Sequence, residues 1–362
     1  MTVAPLYTLA EIPRQVAALG EDLRSLYAQA ADAARELVSG PGWAGISHVI
    51  VTGNGDSFHA ALAAQMAFHT FGGVVCEPVS TLRLLAYGTP WQHRPALPAG
   101  TLVVGVSASG GNARVVDALV CAAGHGARTL AVTAAAGSAV ARAAEHALVV
   151  PLQGLLPCPG IRTYQASLLS LFLIAIEIGR VRGHLDAHEA DAVGAELAAA
   201  ADAVTATAAM VRPGCAHVAE RVADAPVVLA LGSGPGYGSA QFAAAKLVEA
   251  AGVFATGQDL EEWEHVEVLA HPLDMPTLVF ASPGRTRDRA LAVARRARAF
   301  GRTVVAVGQE GDADLASAAG VLSLAGGVRE EFSPLLTQVV AGYLAGEVAD
   351  RLGRVPFSTN RP

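Results

Sequence analysis

Hydrophobic and polar positions follow two alternating patterns along the chain. Short apolar runs rich in β-branched residues, typical of strands covered on both faces, alternate with longer stretches that carry apolar residues at helical spacing. The predicted strands occupy residues 48–52, 74–77, 102–106, 128–132 and 147–150, and then 227–231, 253–255, 277–281, 303–307 and 321–324. Because strict alternation of strand and helix indicates parallel pairing, we predict an α/β fold. Each half is expected to be a three-layer αβα sandwich around a five-stranded, parallel, flavodoxin-like sheet.

The two halves also resemble each other in sequence. "HVIVTGNGDSF" at residues 48–58 aligns with "VVLALGSGPGY" at residues 227–237, which places Gly53 opposite Gly232 at an offset of 179 residues. We therefore predict a tandem repeat of two related units. The predicted parts are an N-terminal helical segment (1–40), a first domain (41–183), a helical linker (184–213) and a second domain with a C-terminal tail (214–362).

Composition excludes several classes of function. The chain has 362 residues, of which 52% are hydrophobic and 16% charged, with a net charge of −7, so nucleic acid is not an expected partner. The longest apolar run, Ala166–Ile176, is too short to span a bilayer and predicts a buried helix rather than a membrane anchor. The N-terminal sequence lacks the features of a signal peptide, and the four cysteines form no CxxC pair. A reduced cytoplasmic protein is the simplest interpretation.

One segment is locally basic. Residues 284–302 contain seven arginines. The apolar residues of this segment recur at helical spacing: Leu291, Ala294, Ala297 and Phe300. We expect a helix with these residues buried and the arginines facing solvent.

The glycine loops after the first strand of each half favour tight turns rather than a dinucleotide site. "GNGDSF" and "GSGPGYG" lack the third glycine of the GxGxxG motif, since Phe58 and Tyr237 stand there. The eleven histidines show no HExxH or paired-ligand spacing. We therefore expect neither a nucleotide cofactor nor a metal.

The strand at 102–106 ends abruptly in "SASGGN", at the end of a parallel strand where ligands bind in such sheets. Ser107, Ser109 and Asn112 can donate hydrogen bonds to phosphate oxygens, and Gly110 and its neighbour let the backbone approach. The loop has no lysine or arginine, which favours a phosphate monoester over a nucleoside triphosphate. A helix N-cap with a glycine turn is the alternative. The second half has "SPGRT" here, which has lost the serines at the positions of Ser107 and Ser109 but has gained Arg285.

The order of these motifs resembles the double sugar-isomerase (SIS) domain family, and above all the isomerase half of glucosamine-6-phosphate synthase, over about residues 45–360. The resemblance implies a phosphorylated sugar as ligand. It implies phosphate contacts from Ser57, Ser107, Ser109 and Asn112. It also suggests further substrate contacts from Gly55, Gly110 and Thr163.

The second half resembles the family's catalytic segments. "AAAKLVEAAG" matches the helix in which Glu249 would move a proton between C1 and C2, with Lys246 stabilising the enediolate. "EEWEHVE" places His265 where a histidine, often from the partner subunit, opens the sugar ring. A homodimer with the active site near the subunit boundary is implied. Without the resemblance, Lys246 and Glu249 form an ordinary helical ion pair and His265 is a surface histidine.

Departures from the family leave the substrate open. Val266 and Glu267 replace the usual Gly-Pro, Arg162-Thr163-Tyr164 replaces Ser-Thr-Lys, and "FSTNRP" at the end of the sequence lacks the tail lysine. No glutaminase segment precedes the first unit, so glutamine-dependent amide transfer is not expected. The sequence hypothesis is a phosphosugar aldose–ketose isomerase acting through a cis-enediol(ate) on a phosphorylated (amino) sugar. The alternatives are an amino-sugar phosphate deaminase or fructosamine phosphate deglycase, a non-catalytic sugar-phosphate sensor, and an ammonia-dependent aminating isomerase.

Overall fold

The structure is a computed structural model that describes residues 7–40, 42–88 and 97–357. The chain divides into two compact units. The first unit contains Asp22–Gly154 and Thr163–Ala199, and the second contains residues 7–21, Leu155–Arg162 and residues 200–357. The domain boundaries drawn from the sequence stay a prediction.

The first unit is built around a parallel sheet of strands in the order β2-β1-β3-β4-β5. Its elements are β1 (His48–Gly53), α2 (Asp56–Thr70), β2 (Val75–Ser80), α3 (Thr81–Arg83) with a π-helical turn (Leu84–Gly88), β3 (Thr101–Val106), α4 (Ala113–Gly124), β4 (Arg128–Thr133), α5 (Ala139–Ala143) and β5 (His146–Val149). Three long helices each contain a boundary between the two units: α1 (Glu11–Val38), α6 (Ile161–Arg182) and α7 (Ala187–Val222). The central strand β3 is buried along its whole length, as expected for a sheet covered on both faces.

The second unit has the same arrangement, with a parallel sheet in the order β7-β6-β8-β9-β10. Its elements are β6 (Val228–Leu231), α8 (Pro235–Ala251), β7 (Ala255–Gln258), α9 (Leu260–His265), a 3₁₀ turn (Glu267–Leu269), β8 (Thr277–Ala281), α10 (Arg287–Ala299), β9 (Val304–Gln309), α11 (Ala313–Ala318), β10 (Gly320–Leu324), a second 3₁₀ turn (Glu330–Phe332) and α12 (Pro334–Arg351). The predicted α/β class, with two parallel five-stranded sheets, is confirmed.

Eight of the ten strands agree with the sequence pattern to within two residues at each end. β2 ends at Ser80, three residues beyond its predicted end, and β7 is displaced as a whole. That strand begins at Ala255 rather than at residue 253, because Gly252 closes α8 in the left-handed conformation and two residues are needed to reach the sheet. The predicted helical segment 184–213 is helical from Ala187 onward, and α7 continues through Pro213 to Val222. In the first unit, the run Ala166–Ile176 is buried within α6, as predicted. That helix is long and apolar enough to cross a membrane, yet 94% of its apolar window is buried inside the protein, as in a core helix.

The basic segment differs from its prediction at two residues. Within α10, Leu291, Ala294 and Ala297 are buried as expected. Phe300 is 44% exposed, so its predicted burial is wrong, because α10 ends at Ala299 and the chain has left the helix. Arg302 is only 3% exposed and does not share the solvated face. It precedes β9, and its guanidinium donates to the carbonyl oxygens of residues 267, 268 and 270.

Candidate functional site

The candidate phosphate loop lies at the point where the strand order of the first sheet reverses. The strand order places β1 and β3 side by side, while the connections that follow them leave to opposite sides, which opens a crevice at their carboxyl ends. Gly53, the last residue of β1, makes the turn tight, since a Cβ there would lie 2.7 Å from Ser57 Cβ and 3.1 Å from the carbonyl oxygen of Val106. Ser57 therefore lies against the end of β3, as the predicted phosphate site requires.

The loop 107–112 is held by backbone contacts rather than by charge. Ser107 is buried, and its N–H donates to the carbonyl of Val132 at 3.0 Å. Gly110 has φ +67° and donates to the carbonyl of Ser107 at 3.0 Å, which closes a turn that a non-glycine residue adopts only with strain. Ser109 is exposed, with its Oγ 3.4 Å from the N–H of Gly111. The turn thus presents one buried and one exposed hydroxyl just before a helix.

Asn112 is the N-cap of α4. Its Oδ1 accepts hydrogen bonds from the N–H groups of Arg114 and Val115, at 3.0 and 3.4 Å. This is the cap alternative named from the sequence, and it leaves only the Asn112 amide nitrogen to donate to a ligand. The cap therefore uses only the oxygen of this side-chain amide.

Two residues that the sequence did not single out join the crevice. Asn54 Nδ2 lies 3.4 Å from Asn112 Oδ1, and the Thr81 hydroxyl donates to Asn54 Oδ1 at 2.7 Å. These bonds connect the carboxyl ends of β1, β2 and β3 through neutral groups. The position of Asn54 in the GxG loop was a signal, but Thr81 is 27 residues away and no local pattern indicates it.

The other predicted contacts of the first unit lie around this crevice. Gly55 precedes α2 with φ +54°, and Ser57 in the first turn of that helix is half-buried. Thr163 lines a small cavity beneath the loop together with Ala108 and Thr133. The structure therefore places these residues at one end of one sheet.

A second group of polar side chains adjoins Ser57. Asp56 Oδ1 lies 3.7 Å from His59 Nδ1, and Tyr164 is fully buried. Burial raises the pKa of the Tyr164 phenol well above its ordinary value, and the Asp56 carboxylate adds to that rise. The phenol therefore stays protonated in the position where the resembled family has a lysine.

In the second unit, Lys246 and Glu249 form a close pair on α8. Lys246 Nζ lies 2.5 Å from Glu249 Oε2, and the ammonium is 5.0 Å from the centre of the Phe242 ring. Lys246 is fully buried, whereas the Glu249 side chain is 28% exposed. Lys246 is also the only lysine in the 362 residues. A buried ammonium requires a paired anion, so Lys246 fixes the carboxylate while one side of Glu249 stays open to solvent.

Residues from distant parts of the chain surround this pair. Burial raises the pKa of the Cys158 thiol to about 12. The charges of Lys246 and Glu249 also act on this thiol, by Coulombic interaction. Gln15 on α1 donates to Glu11 Oε1 at 2.8 Å and to the carbonyl of Leu156 at 2.9 Å, which holds the segment carrying Cys158. The sequence did not indicate this group, because its members come from separate segments of the chain.

His265 lies apart from that pair in the contacts of the described residues. It is the last residue of α9, its side chain is 70% exposed, and its Nε2 is 3.4 Å from Glu261 Oε1. The structure therefore brings Lys246 and Glu249 together, while His265 presents its ring to solvent. Within residues 7–40, 42–88 and 97–357, no group of three His, Cys, Asp or Glu side chains is arranged to hold a metal ion.

The comparison with known proteins is consistent with this geometry. Residues 44–171 match the SIS domain family. The chain is 29% identical over 260 residues to glutamine–fructose-6-phosphate aminotransferase (isomerizing) of Thermus thermophilus, a match that covers 72% of this chain and 43% of that protein. The chain thus spans about half the length of the curated relatives it matches.

Solved structures share the fold over nearly the whole chain. The C-terminal domain of glucosamine–fructose-6-phosphate aminotransferase from Francisella tularensis superposes with a TM-score of 0.83 at 17% identity, covering 98% of both chains. A putative tagatose-6-phosphate ketose/aldose isomerase from Clostridium novyi gives a TM-score of 0.79 at 13% identity, covering 97% of this chain and 92% of that one. Residues 44–171 therefore match a SIS domain, and the fold of the chain is that of the C-terminal domain of glucosamine–fructose-6-phosphate aminotransferase.

Proposed function

We propose that this protein is a phosphosugar isomerase that interconverts an aldose and a ketose phosphate through a cis-enediol(ate). The observation that carries the proposal is the Lys246–Glu249 pair, in which a fully buried ammonium holds a carboxylate that remains 28% exposed. A carboxylate held in place and open on one side can accept a proton from a carbon acid. The adjacent fixed positive charge stabilises the enediolate that forms.

Arginine cannot take the place of Lys246 in this role. Every other position in the sequence that carries lysine or arginine has arginine, yet a lysine occupies this buried position. A guanidinium is larger and planar, and it makes several hydrogen bonds in a fixed fork, whereas an ammonium is a compact point charge. A site that must place one positive charge beside one carboxylate oxygen suits lysine.

The phosphate group is assigned to the first unit. The hydroxyls of Ser57, Ser107 and Ser109 and the amide nitrogen of Asn112 supply donors around the carboxyl ends of β1 and β3. Gly110 brings the backbone close, and the start of α4 favours an anion. Because these groups are neutral, the site suits a doubly charged monoester whose remaining charge is solvated.

In the proposed reaction, Glu249 and His265 transfer protons and Lys246 stabilises the charge that develops. Glu249 removes the proton from the carbon next to the carbonyl and returns it to the neighbouring carbon, while Lys246 stabilises the oxygen that gains charge. His265 moves a proton between the ring oxygen and the anomeric hydroxyl during ring opening. Its exposed side chain supports a role in which it meets a ligand across a subunit boundary, as the resemblance implies for a homodimer.

The names of the related proteins support a hexose phosphate as substrate. The relative from Thermus thermophilus is named for fructose 6-phosphate, and the structural neighbour from Clostridium novyi for tagatose 6-phosphate. Both names also specify isomerisation. We therefore propose a 6-phosphorylated ketohexose or its aldose partner.

Proton NMR in D₂O tests this proposal directly. The purified protein is incubated with fructose, tagatose, amino-sugar and fructosamine 6-phosphates, and deuterium incorporation at C1 or C2 is followed. We expect Glu249→Gln to slow incorporation by roughly 100- to 10,000-fold, the usual contribution of a general base. Glu220→Gln is the matched control, because Glu220 is exposed and lies 3.6 Å from His217 at the same i,i+3 spacing. That control should exchange at the wild-type rate.

The products separate the remaining alternatives. Release of ammonia or an amino acid along with exchange would replace the isomerase by a deaminase or deglycase. Binding of a sugar phosphate without exchange at either carbon would contradict enzymatic function and leave a sensor. If Glu249→Gln incorporated deuterium at the wild-type rate, Glu249 would not be the general base.

A further inference from the structure

The second unit has a loop in the place of the phosphate loop, and a carboxylate of the chain already occupies it. "SPGRT" at 282–286 follows β8, just as "SASGGN" follows β3. The N–H of Arg285 donates to Glu330 Oε2 at 3.1 Å. Glu330 comes from the segment that follows β10, so this contact joins residues 45 positions apart.

Gly284 makes room for that carboxylate. A Cβ built on Gly284 would overlap the carboxyl carbon of Glu330 and its Oε1. The space that any other residue would fill with its side chain is therefore taken by the Glu330 carboxylate. The corresponding glycine of the first unit is Gly110, and a Cβ built there would overlap the side chain of Ser138. The group that fills this space in the first unit is therefore a neutral hydroxyl.

The second loop keeps the donors that an anion needs. The N–H of Arg285 points at a carboxylate oxygen, and the Arg285 side chain is exposed. The loop leads into α10, a helix of 13 residues whose start favours negative charge. Arginine is well suited to phosphate, so the loop would be basic if Glu330 were elsewhere.

We propose that Glu330 is the internal anion of the second loop and prevents it from binding phosphate monoesters, so that the chain binds sugar phosphate through the first loop only. An attached carboxylate competes at an effective concentration on the order of millimolar or higher. A free sugar phosphate at lower concentration cannot displace it. The proposal rests on the proposed function for the class of ligand, a phosphate monoester, and for the first loop as its binding site.

The test restores anion binding to the second loop in a protein whose first loop is disabled. In the background Ser107→Ala with Ser109→Ala, calorimetric titration with inorganic phosphate and with fructose 6-phosphate should show no saturable binding up to about 10 mM. Adding Glu330→Ala should produce one saturable site per chain, at least roughly 10-fold tighter than that limit. The amide resonance of Arg285 should shift with the same saturation curve.

A matched control separates a vacated site from a general loss of negative charge. Glu310 is exposed in the turn after β9, at the same end of the sheet, and Glu310→Ala removes an equal charge. We expect Glu310→Ala to create no site. Thermal unfolding of each variant confirms that the fold is retained.

The outcomes distinguish this inference from the proposed function. No new site in a folded Glu330→Ala variant, or an equal gain in Glu310→Ala, would overturn the role of Glu330. Wild-type protein that binds two phosphates per chain would overturn it as well. By contrast, if Ser107→Ala with Ser109→Ala bound sugar phosphate as tightly as the wild type does, the assignment of the phosphate group to the first loop would be contradicted.

Discussion

The two units share one backbone plan and carry opposite chemistry at the carboxyl ends of their strands. Gly55 and Gly234 precede α2 and α8 with nearly identical angles, φ 54° and ψ −129° against φ 56° and ψ −131°. In the first unit, Asn54 bonds to the neutral Thr81 and Asn112. In the second, Ser233 donates to the Asp259 carboxylate at 2.5 Å. At these positions, the same backbone framework therefore carries neutral partners in the first unit and a carboxylate in the second.

The helices after the first strands differ in the same way. At the offset of 179 residues, Lys246 and Glu249 on α8 correspond to Ala67 and Thr70 on α2. The first unit thus has the serine loop but lacks the charged pair at these positions, and the second has the pair but has replaced the serines. At these positions the two units therefore differ in a few side chains, whereas the strands and turns that carry them are alike.

The largest effect is expected from removing the charge of the second unit's pair. We expect Lys246→Met to slow deuterium incorporation by roughly 100-fold, since it deletes the charge that is proposed to stabilise the enediolate. Arg212→Met is the control, because Arg212 is exposed and pairs with Glu347 in the same unit. Since Lys246 is the only lysine, isotope-labelled lysine gives one side-chain ammonium resonance that reports on the pair. An unchanged exchange rate in Lys246→Met would make the pair structural only.

An intermediate effect is expected from the backbone of the first unit's loop. Gly110 and Gly137 have similar positive φ angles, 67° and 61°, but only at Gly110 would a Cβ overlap Ser138 and approach Thr133. We expect Gly110→Ala to weaken sugar-phosphate binding by roughly 10-fold or more and to lower the free energy of unfolding by about 2–3 kcal/mol. Gly137→Ala should lower the free energy of unfolding by about 1 kcal/mol and leave binding intact. Calorimetric titration and urea denaturation measure both quantities, and equal behaviour of the two variants would contradict the packing argument.

The smallest effect concerns acid stability in the second unit. The hydrogen bond from Arg14 holds the pKa of the Glu11 carboxyl below its ordinary value. The ionised form thus stabilises the folded state above the ordinary carboxyl range, and this contribution is lost as the pH falls through the lowered pKa. In urea denaturation, the difference between wild type and Glu11→Gln should be present near pH 7 and shrink as the pH falls below about 4. Glu36→Gln, an exposed residue of the same helix, should show no such difference. A difference that grows on acidification would reverse the sign and refute the argument.

The two sheets, the position of the loop 107–112 and the spacing of Lys246 and Glu249 follow from the amino-acid sequence alone. These features are local: strands follow from apolar runs, turns from glycines, and a shared helix face from a separation of three residues. Two strands were placed too early: β2 continues three residues beyond its predicted end, and the start of β7 depends on how α8 ends. The misjudged Phe300 and Arg302 lie just beyond the end of α10, where helical periodicity no longer predicts burial.

Which side chains meet and which are buried depends instead on how the chain packs in three dimensions. Thr81 reaches Asn54 across two strand ends, Gln15 fixes the segment that carries Cys158, and Glu330 fills the space beside Gly284. These contacts join residues 27, 141 and 46 positions apart, as the residue numbers show. Local patterns do not encode them, because they depend on where the packed sheet brings distant loops together. The burial of Lys246 has the same origin: its charge is readable in the sequence, but the lack of solvent around it is a property of the fold.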